Sequence, residues 1–256
     1  MVNYLLKKSY QLKNLKEIKF KDLWDDHGVF TTMWIFGKPP KILFFKQHVS
    51  NLIKSTKAYS IKKASIRLDI LKLLKKNLST KKRYNHLLRI AINRNTISIS
   101  LRPRVKANLN FDLKLVKLKR KKPEFKNLKY KEIIKHLSTL DNSKSDIGLC
   151  SNNRIYETGT SNILFVKNGN FYSPINKFYK GITYKFFKSK IKKIIKKNIL
   201  ISSLNEYDEI ILIGSGKGVA SVRTINQINW KRKNLNSFNK LLNHFKTAVI
   251  NCPKYR

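Results

Sequence analysis

Two glycine-containing segments carry backbone groups of the kind that bind phosphate. Gly181-Ile182-Thr183 opens a predicted helix, so its amides and the Thr183 hydroxyl are available to donate to an anion. The segment GSGKG at residues 214–218 is not a P-loop, because the pattern GxxxxGK[ST] would need Gly at position 211 and Ser or Thr at position 218. The chain has Ile211 and Gly218 there. A P-loop is therefore excluded, and the Gly181-Ile182-Thr183 turn is the first indication that the chain binds an anion.

An ordered series of motifs surrounds these turns. The stretch ETGTSNILF at residues 157–165 is followed by Asn168-Gly169, by Ser173-Pro174 and by KGIT at residues 180–183. This order resembles the fold-type IV family of pyridoxal-phosphate-dependent enzymes, which includes branched-chain aminotransferases, D-amino-acid aminotransferases and aminodeoxychorismate lyases. The resemblance spans most of the chain, and it extends to three further segments: DHGVFTTM (26–33), HVSNL (48–52) and GSGKGVASV (214–222).

The resemblance implies pyridoxal 5'-phosphate as cofactor, with Lys126 as the Schiff-base lysine. Lysine is abundant, and only context distinguishes one from another. Lys126-Asn127-Leu128 has the Lys-x-Leu setting of the family and lies 31 residues before Glu157. Lys129 is the nearest rival and lacks the downstream pattern. Such an amine must be held away from bulk water, so that its pKa is depressed and it can act as a nucleophile.

The same resemblance makes Glu157 the partner of the pyridine nitrogen of the cofactor. A carboxylate that accepts the ring N–H keeps the ring protonated and therefore a strong electron sink. The phosphate is expected on Ile182 and Thr183 at the first turn and on Ser215 and Gly216 at the second.

Two positions depart from the family pattern. Asn51 stands where an arginine usually pairs with the phosphate, and Tyr184 stands where an arginine usually follows Gly-Ile-Thr. Because Asn51 brings no charge, we expect another cation to replace the arginine. Lys217 in the second turn is the first candidate, and Lys54, one helical turn after Asn51, is the second.

Three features favour the lyase over the transaminases of this family. The chain is short for a branched-chain aminotransferase, Phe30-Thr31-Thr32 lacks the Glu that those enzymes carry after the Phe, and the spacing from Ser215 to Val222 resembles the lyase form, although Ser221 replaces the usual Pro. The implied reaction converts 4-amino-4-deoxychorismate to p-aminobenzoate and pyruvate, a step toward folate. A transaminase on the same fold is the first alternative, and a basic RNA-binding protein with a relict enzyme fold is the second.

Composition bounds these alternatives. The chain of 256 residues has 56 Lys and Arg against 14 Asp and Glu, a net charge of +42, and 41% hydrophobic residues, so it is not a disordered chain. Such a charge suits a polyanion, but the lysines are spread over the chain instead of forming one patch, which argues against nucleic acid as the main partner.

The remaining composition predicts a cytoplasmic protein. Cys150 and Cys252 form neither a CxxC motif nor a Cys/His cluster, which argues against zinc or a disulfide framework and fits a reducing compartment. The N-terminal residues do not resemble a signal peptide, and no apolar run is long enough to span a membrane. The resemblance adds a homodimer with a small-molecule substrate.

The elements needed to position these residues are those of an α/β (α+β) fold. Apolar and β-branched runs predict strands at 28–37, 41–45, 86–94, 96–104, 147–157, 162–174 and 209–216. The runs at 147–157 and 162–174 contain predicted turns at Asn152-Asn153 and Asn168-Gly169, and the second is an Asn-Gly hairpin signal. Helical periodicity predicts helices over 48–78, 126–140, 183–197 and 235–249. We expect a small N-terminal α/β domain at 1–107, an inter-domain linker at 108–122 and a larger C-terminal cofactor-binding domain at 123–256. In the fold-type IV family the cofactor lies between two such domains.

Overall fold

The computed structural model describes residues 4–107 and 109–255, and the chain divides into two compact units. The first unit contains the chain up to Arg104, residues Phe125–Lys131 and the chain from Asn251 onwards. The second contains Val105–Glu124 and Glu132–Ile250.

The first unit is built on a six-stranded antiparallel sheet with the order β2-β1-β6-β5-β3-β4. Two helices pack on one face of this sheet, where alternate strand residues such as Met33, Ile90 and Ile99 form a core with Leu52 and Ile70 of the helices. The elements are β1 (Leu6–Gln11), β2 (Glu17–Ile18), β3 (Gly28–Gly37), β4 (Lys41–Ile42), α1 (Phe45–Ala58), α2 (Ile66–Asn77), β5 (Tyr84–Asn93) and β6 (Thr96–Pro103).

The second unit is built on a nine-stranded mixed sheet with the order β12-β11-β10-β13-β14-β7-β8-β9, and β15 pairs with β14. Apolar residues of these strands, among them Phe165, Leu212 and Val222, form its core with Trp230. The elements are β7 (Phe111–Lys117), α3 (Lys131–Leu137), β8 (Ser145–Ser151), β9 (Arg154–Thr158), β10 (Asn162–Lys167), β11 (Asn170–Pro174), α4 (Ile182–Lys188), β12 (Ile194–Lys197), β13 (Glu209–Gly214), β14 (Gly218–Ile225), β15 (Trp230–Lys231) and α5 (Asn236–Ile250).

The Asn168-Gly169 turn joins β10 to β11 as the sequence predicts. Both residues have positive φ, 49° at Asn168 and 72° at Gly169. Two positive values are what a type I′ turn requires, and this turn matches the twist of a tight antiparallel hairpin. The turn therefore sets the register in which β10 pairs with β11.

The expected linker at 108–122 requires correction. Residues 111–117 form β7, which lies in the sheet between β14 and β8 and is parallel to both. This segment forms a strand because its apolar and polar residues alternate: Phe111 and Leu113 are buried, while Lys114 is exposed. The predicted start of the C-terminal domain at residue 123 also differs, because Phe125–Lys131 belongs to the first unit and not to the second.

Two expected helices are shorter than predicted. The helix predicted over 126–140 is α3, which begins only at Lys131. Residues 126–128 pair instead with β3, and Val29 bridges Asn127. The helix predicted over 183–197 ends at Lys188, and Ile194–Lys197 forms β12 parallel to β11. Backbone pairing to a neighbouring strand overrides helix propensity in both places.

The segment that contains Lys126 is held by backbone hydrogen bonds. Phe30 donates its N–H to the Lys126 carbonyl at 2.9 Å, and Leu128 donates its N–H to the Gly28 carbonyl at 2.9 Å. A Cβ on Gly28 would lie 2.3 Å from the Ile92 carbonyl oxygen and 2.8 Å from Leu128 Cδ1. The close approach of this segment to β3 therefore requires glycine. No helix within residues 4–107 and 109–255 has both the length and the apolar character needed to cross a membrane.

We predict that Gly28→Ala destabilises the fold by about 2–3 kcal/mol, because a backbone oxygen cannot move aside for the new methyl group. The free energy of unfolding from urea denaturation checks this. Gly169→Ala is the matched control, since nothing lies within 4 Å of its Cβ position and only the positive φ costs about 1 kcal/mol. Equal losses in the two variants would contradict the steric argument.

Candidate active site

Lys126 lies beside an aromatic cluster in the first unit. Its ammonium is 5.1 Å from the centroid of the Phe30 ring, a distance at which a cation–π interaction stabilises the charge. Phe30 in turn contacts Trp24 and Tyr130, with ring centroids 4.9 Å and 5.5 Å away. Because Phe30 is buried, one side of the Lys126 amine faces an apolar surface.

His48 is a buried neighbour of this lysine. Its Nδ1 lies 2.8 Å from the Thr31 hydroxyl, and the pair fixes the imidazole between α1 and β3. Burial and, to a smaller extent, the charge of Lys126 together lower the pKa of His48 to about 3. His48 is therefore neutral at physiological pH.

Glu157 is a buried carboxylate at the end of β9 in the second unit. Arg120 donates from one guanidinium nitrogen to both carboxylate oxygens, at 3.1 Å and 3.2 Å, and the side chains are only 4% and 6% exposed. The backbone N–H of Tyr179 donates to Oε2 at 3.3 Å. A buried carboxylate with these partners keeps its charge, which is what a bond to a protonated ring nitrogen requires.

The two predicted phosphate turns meet within the second unit. The hydroxyls of Thr183 and Ser215 lie 3.2 Å apart. Gly181 precedes α4 and donates its N–H to Asn162 Oδ1 at 3.1 Å, and a Cβ on Gly181 would lie 2.8 Å from that oxygen. The Gly181 amide is thus used within the protein, contrary to the expectation that it is available to an anion. The hydroxyls of Thr183 and Ser215, together with the other amides of these turns, make a donor set that suits a phosphate. Gly216 lies in the same turn as Ser215, and Ile182 begins α4.

Lys217 does not have the environment expected for a cation that compensates a phosphate. Its ammonium lies 3.0 Å from the Asp146 carboxylate, donates to Thr160 Oγ1 at 2.8 Å and sits 4.9 Å from the Phe111 ring centroid. The charge of Lys217 is thus compensated by a buried acid. This corrects the expectation that it replaces the missing arginine.

Tyr184 and Asn51, which stand where the family usually has arginine, lie in different environments. Tyr184 is buried, and its hydroxyl contacts Ser173 Oγ at 3.2 Å and the Lys196 ammonium. Asn51 is half-buried on α1, and Lys54 on the same helix is exposed.

Sequence reasoning missed Arg120 as the partner of Glu157, Asp146 as the partner of Lys217, and His48 as a neighbour of Lys126. Arg120 lies in a basic run, KLKRKKPEF, where nothing local distinguishes one cation from the next. Asp146 carried a usable signal, because an acid inside an apolar strand pattern must have a partner. His48 was noted only as part of a motif.

Two other kinds of catalytic site are disfavoured. Among the described residues, no group of three or more His, Cys, Asp or Glu is placed to hold a metal ion. Burial raises the pKa of the Cys150 thiol to about 12, so this cysteine is not a ready thiolate nucleophile.

Comparisons with known proteins show the family to which this chain belongs. The sequence profile of the family described as Amino-transferase class IV matches residues 28–225. The chain therefore belongs to the class IV aminotransferase family, an enzyme family, and the predictions of family and of fold are confirmed. No curated protein sequence matches the chain significantly.

Solved structures with the same fold include both transaminases and a lyase. The branched-chain aminotransferase of Thermoproteus uzoniensis is 15% identical, with a TM-score of 0.74 over 93% of each chain. The 4-amino-4-deoxychorismate lyase of Pseudomonas aeruginosa is 14% identical, with a TM-score of 0.74 over 94% of this chain and 98% of that one. The branched-chain aminotransferase of Thermobaculum terrenum in its PLP form is 13% identical, with a TM-score of 0.74 over 94% and 93%. At these identities the likeness shows the fold alone.

The buried His48 predicts a pH dependence of stability. Its folded-state pKa is depressed to about 3, whereas an unfolded histidine titrates near 6.5. The stability that neutral His48 contributes is therefore fully present above pH ~6.5 and is lost as the pH falls toward ~3. By pH ~5 the loss in the free energy of unfolding is about 2 kcal/mol.

His48→Gln should flatten this part of the profile of unfolding free energy against pH, as measured by urea denaturation. His244→Gln on α5 is the control and should leave the slope unchanged. A slope that survives in His48→Gln would assign the effect to another group.

Proposed function

We propose that this chain is a pyridoxal-phosphate-dependent lyase that converts 4-amino-4-deoxychorismate to p-aminobenzoate and pyruvate, a step toward folate. The observation that carries the proposal is the buried Glu157, which is held by Arg120 in the same unit as the two joined turns. A charged acceptor for a ring nitrogen and an amide-rich phosphate site are the two features that this cofactor needs from a protein.

The lyase is favoured over a transaminase by the residues after Phe30. Thr31 and Thr32 stand where a branched-chain aminotransferase carries Glu, and Thr31 is occupied by its contact with His48. The solved lyase of Pseudomonas aeruginosa has the same fold. The second candidate is a transaminase, which the similarity to the enzyme of Thermoproteus uzoniensis supports.

Lys126 has two tasks in this proposal. Its amine would hold the cofactor, and the same amine, when it is free, would act on the substrate. The freed amine then removes the proton from the amine-bearing ring carbon. The bond from the adjacent ring carbon to the enolpyruvyl oxygen breaks, and Lys126 returns a proton to the enolpyruvyl methylene, so that pyruvate leaves as the ring becomes aromatic.

Glu157 and the turns hold the cofactor while Lys126 moves protons. When bound, pyridoxal phosphate supplies a protonated ring that accepts the electron pair released at the substrate carbon. Glu157 holds the proton on the ring nitrogen. Ile182, Thr183, Ser215 and Gly216 donate to the phosphate through amides and hydroxyls. We further propose a cytoplasmic homodimer, following the family resemblance.

The first test of this proposal is release of pyruvate from 4-amino-4-deoxychorismate with no keto acid present. Wild-type protein should release pyruvate and p-aminobenzoate in equal amounts. Lys126→Ala should lose turnover, and borohydride should no longer fix the cofactor onto the peptide that contains residue 126. Lys129→Ala is the matched control, because Lys129 is exposed and contacts the Asp25 carbonyl.

Turnover that requires a keto acid would replace the lyase by the transaminase. Turnover that survives in Lys126→Ala would reject the assignment of the lysine.

The second test is Glu157→Gln. An uncharged amide no longer favours the protonated ring, so kcat should fall by about a hundredfold, which corresponds to about 3 kcal/mol in the barrier. Steady-state kinetics measure this. Glu206→Gln, an exposed acid paired with Lys167, is the control and should retain wild-type kcat. A kcat near that of the wild type in Glu157→Gln would refute the role.

A further inference from the structure

Asp146 is a fully buried carboxylate at the start of β8 that the proposed reaction does not use. Its Oδ1 accepts from the Ile147 N–H at 2.8 Å. Its Oδ2 accepts from the hydroxyls of Thr158 and Thr160 at 2.9 Å and 2.7 Å and from the Lys217 ammonium at 3.0 Å. Four donors therefore satisfy one buried carboxylate, and any of these buried polar groups would be costly to leave without a partner. These residues are called the Asp146 centre.

Lys217 reaches this centre from the turn between β13 and β14, which spans residues 215–217. Its side chain is only 9% exposed. Gly218 ends the turn with φ of 79°, and a Cβ there would lie 2.9 Å from the Phe245 ring. The turn is therefore tethered at Lys217 by the ion pair and closed at Gly218 by a conformation that favours glycine.

The same centre also holds the chain that follows Glu157. Thr158 Oγ1 accepts from the Ser161 N–H at 2.9 Å, and Lys217 donates to Thr160 Oγ1 at 2.8 Å. Asp146 thus joins two segments: the 215–217 turn, which carries the predicted phosphate donors Ser215 and Gly216, and the 158–161 turn, which begins directly after the ring-nitrogen partner.

We propose that the Asp146–Lys217 ion pair is a positioning element that sets the Ser215–Gly216 turn for the phosphate of the cofactor. Lys217 acts through Asp146 and not by contact with the phosphate. This inference rests on the proposed function. It explains why Lys217 is directed onto a buried acid. The orientation of the Ser215 and Gly216 amides depends on the conformation of the 215–217 turn, and the Asp146–Lys217 ion pair holds that conformation.

The test is Asp146→Asn, read out as the ratio of the affinities for pyridoxal 5'-phosphate and for pyridoxal, both measured by absorbance titration. If the pair positions the turn, the preference for the phosphorylated aldehyde should fall by about tenfold. If Lys217 instead contacts the phosphate, its release from Asp146 should raise the preference. An increase or an unchanged ratio would overturn the inference.

This ratio separates positioning from general stability, because both aldehydes bind the same folded protein. Lys217→Met should lower the ratio as Asp146→Asn does, and Lys167→Met, which breaks the exposed pair with Glu206, should leave it unchanged. If Asp146→Asn does not fold, Thr160→Val removes one hydroxyl shared by Asp146 and Lys217. It should lower the ratio less, and an unchanged ratio there would also overturn the inference.

The outcomes also separate this inference from the proposed function. Wild-type protein that gives no absorbance change with either aldehyde would reject the proposed function. The inference is then decided by thermal stabilisation with inorganic phosphate. Asp146→Asn must reduce the stabilisation seen in the wild type, and an equal shift in both proteins, or none in either, would overturn the inference.

Discussion

The chemistry proposed for the second unit depends on the ion pair between Arg120 and Glu157. A carboxylate removed from water is several kcal/mol unfavourable unless a cation and further hydrogen bonds compensate it. Arg120 supplies the cation, and the Tyr179 N–H supplies a further donor. Tyr179 also accepts from the amide of Gly181, so the contact that keeps Glu157 charged connects to the turn that opens α4. Glu157, the proposed ring-nitrogen partner, is thus linked through Tyr179 to the turn that opens α4.

In a chain with 56 basic and 14 acidic residues, the acids are more informative than the bases. A lysine can lie almost anywhere on a surface, where its charge is solvated and screened. A buried acid needs a specific partner, and Glu157 and Asp146 have Arg120 and Lys217 respectively. The scarcity of acids makes each such partnership conspicuous. The uniform excess of lysine obscures which lysine would bind the cofactor, and the Lys-x-Leu context is what distinguishes the proposed Lys126.

Local patterns predicted much of the fold, and long-range pairing accounts for most of the errors. The β10–β11 hairpin follows from Asn168 and Gly169, whose positive φ values are a local property. The parallel strand β7 was missed because its partners, β8 and β14, lie far along the chain, although its alternating burial left a signal. The segment from Lys126 to Leu128 is extended because β3 offers it hydrogen bonds. No propensity within the segment encodes that pairing. Glu157 could be chosen from its motif, but its partner Arg120 could not.

Asn51, in place of the usual arginine of the family, changes how affinity for a phosphate would arise in the proposed function. The two buried cations of the second unit named above are neutralised by Glu157 and Asp146, so neither adds net charge beside the turns. Exposed lysines act only within a Debye length of about 8 Å at physiological salt. The proposed site then relies on the amides of the 215–217 turn and on the hydroxyls of Thr183 and Ser215, which do not titrate near neutral pH. Phosphate affinity then follows the geometry of the 215–217 turn more closely than it follows the net charge of +42. A chain can in this way change its surface charge widely while it keeps a phosphate site, provided that the buried ion pairs under that site stay matched.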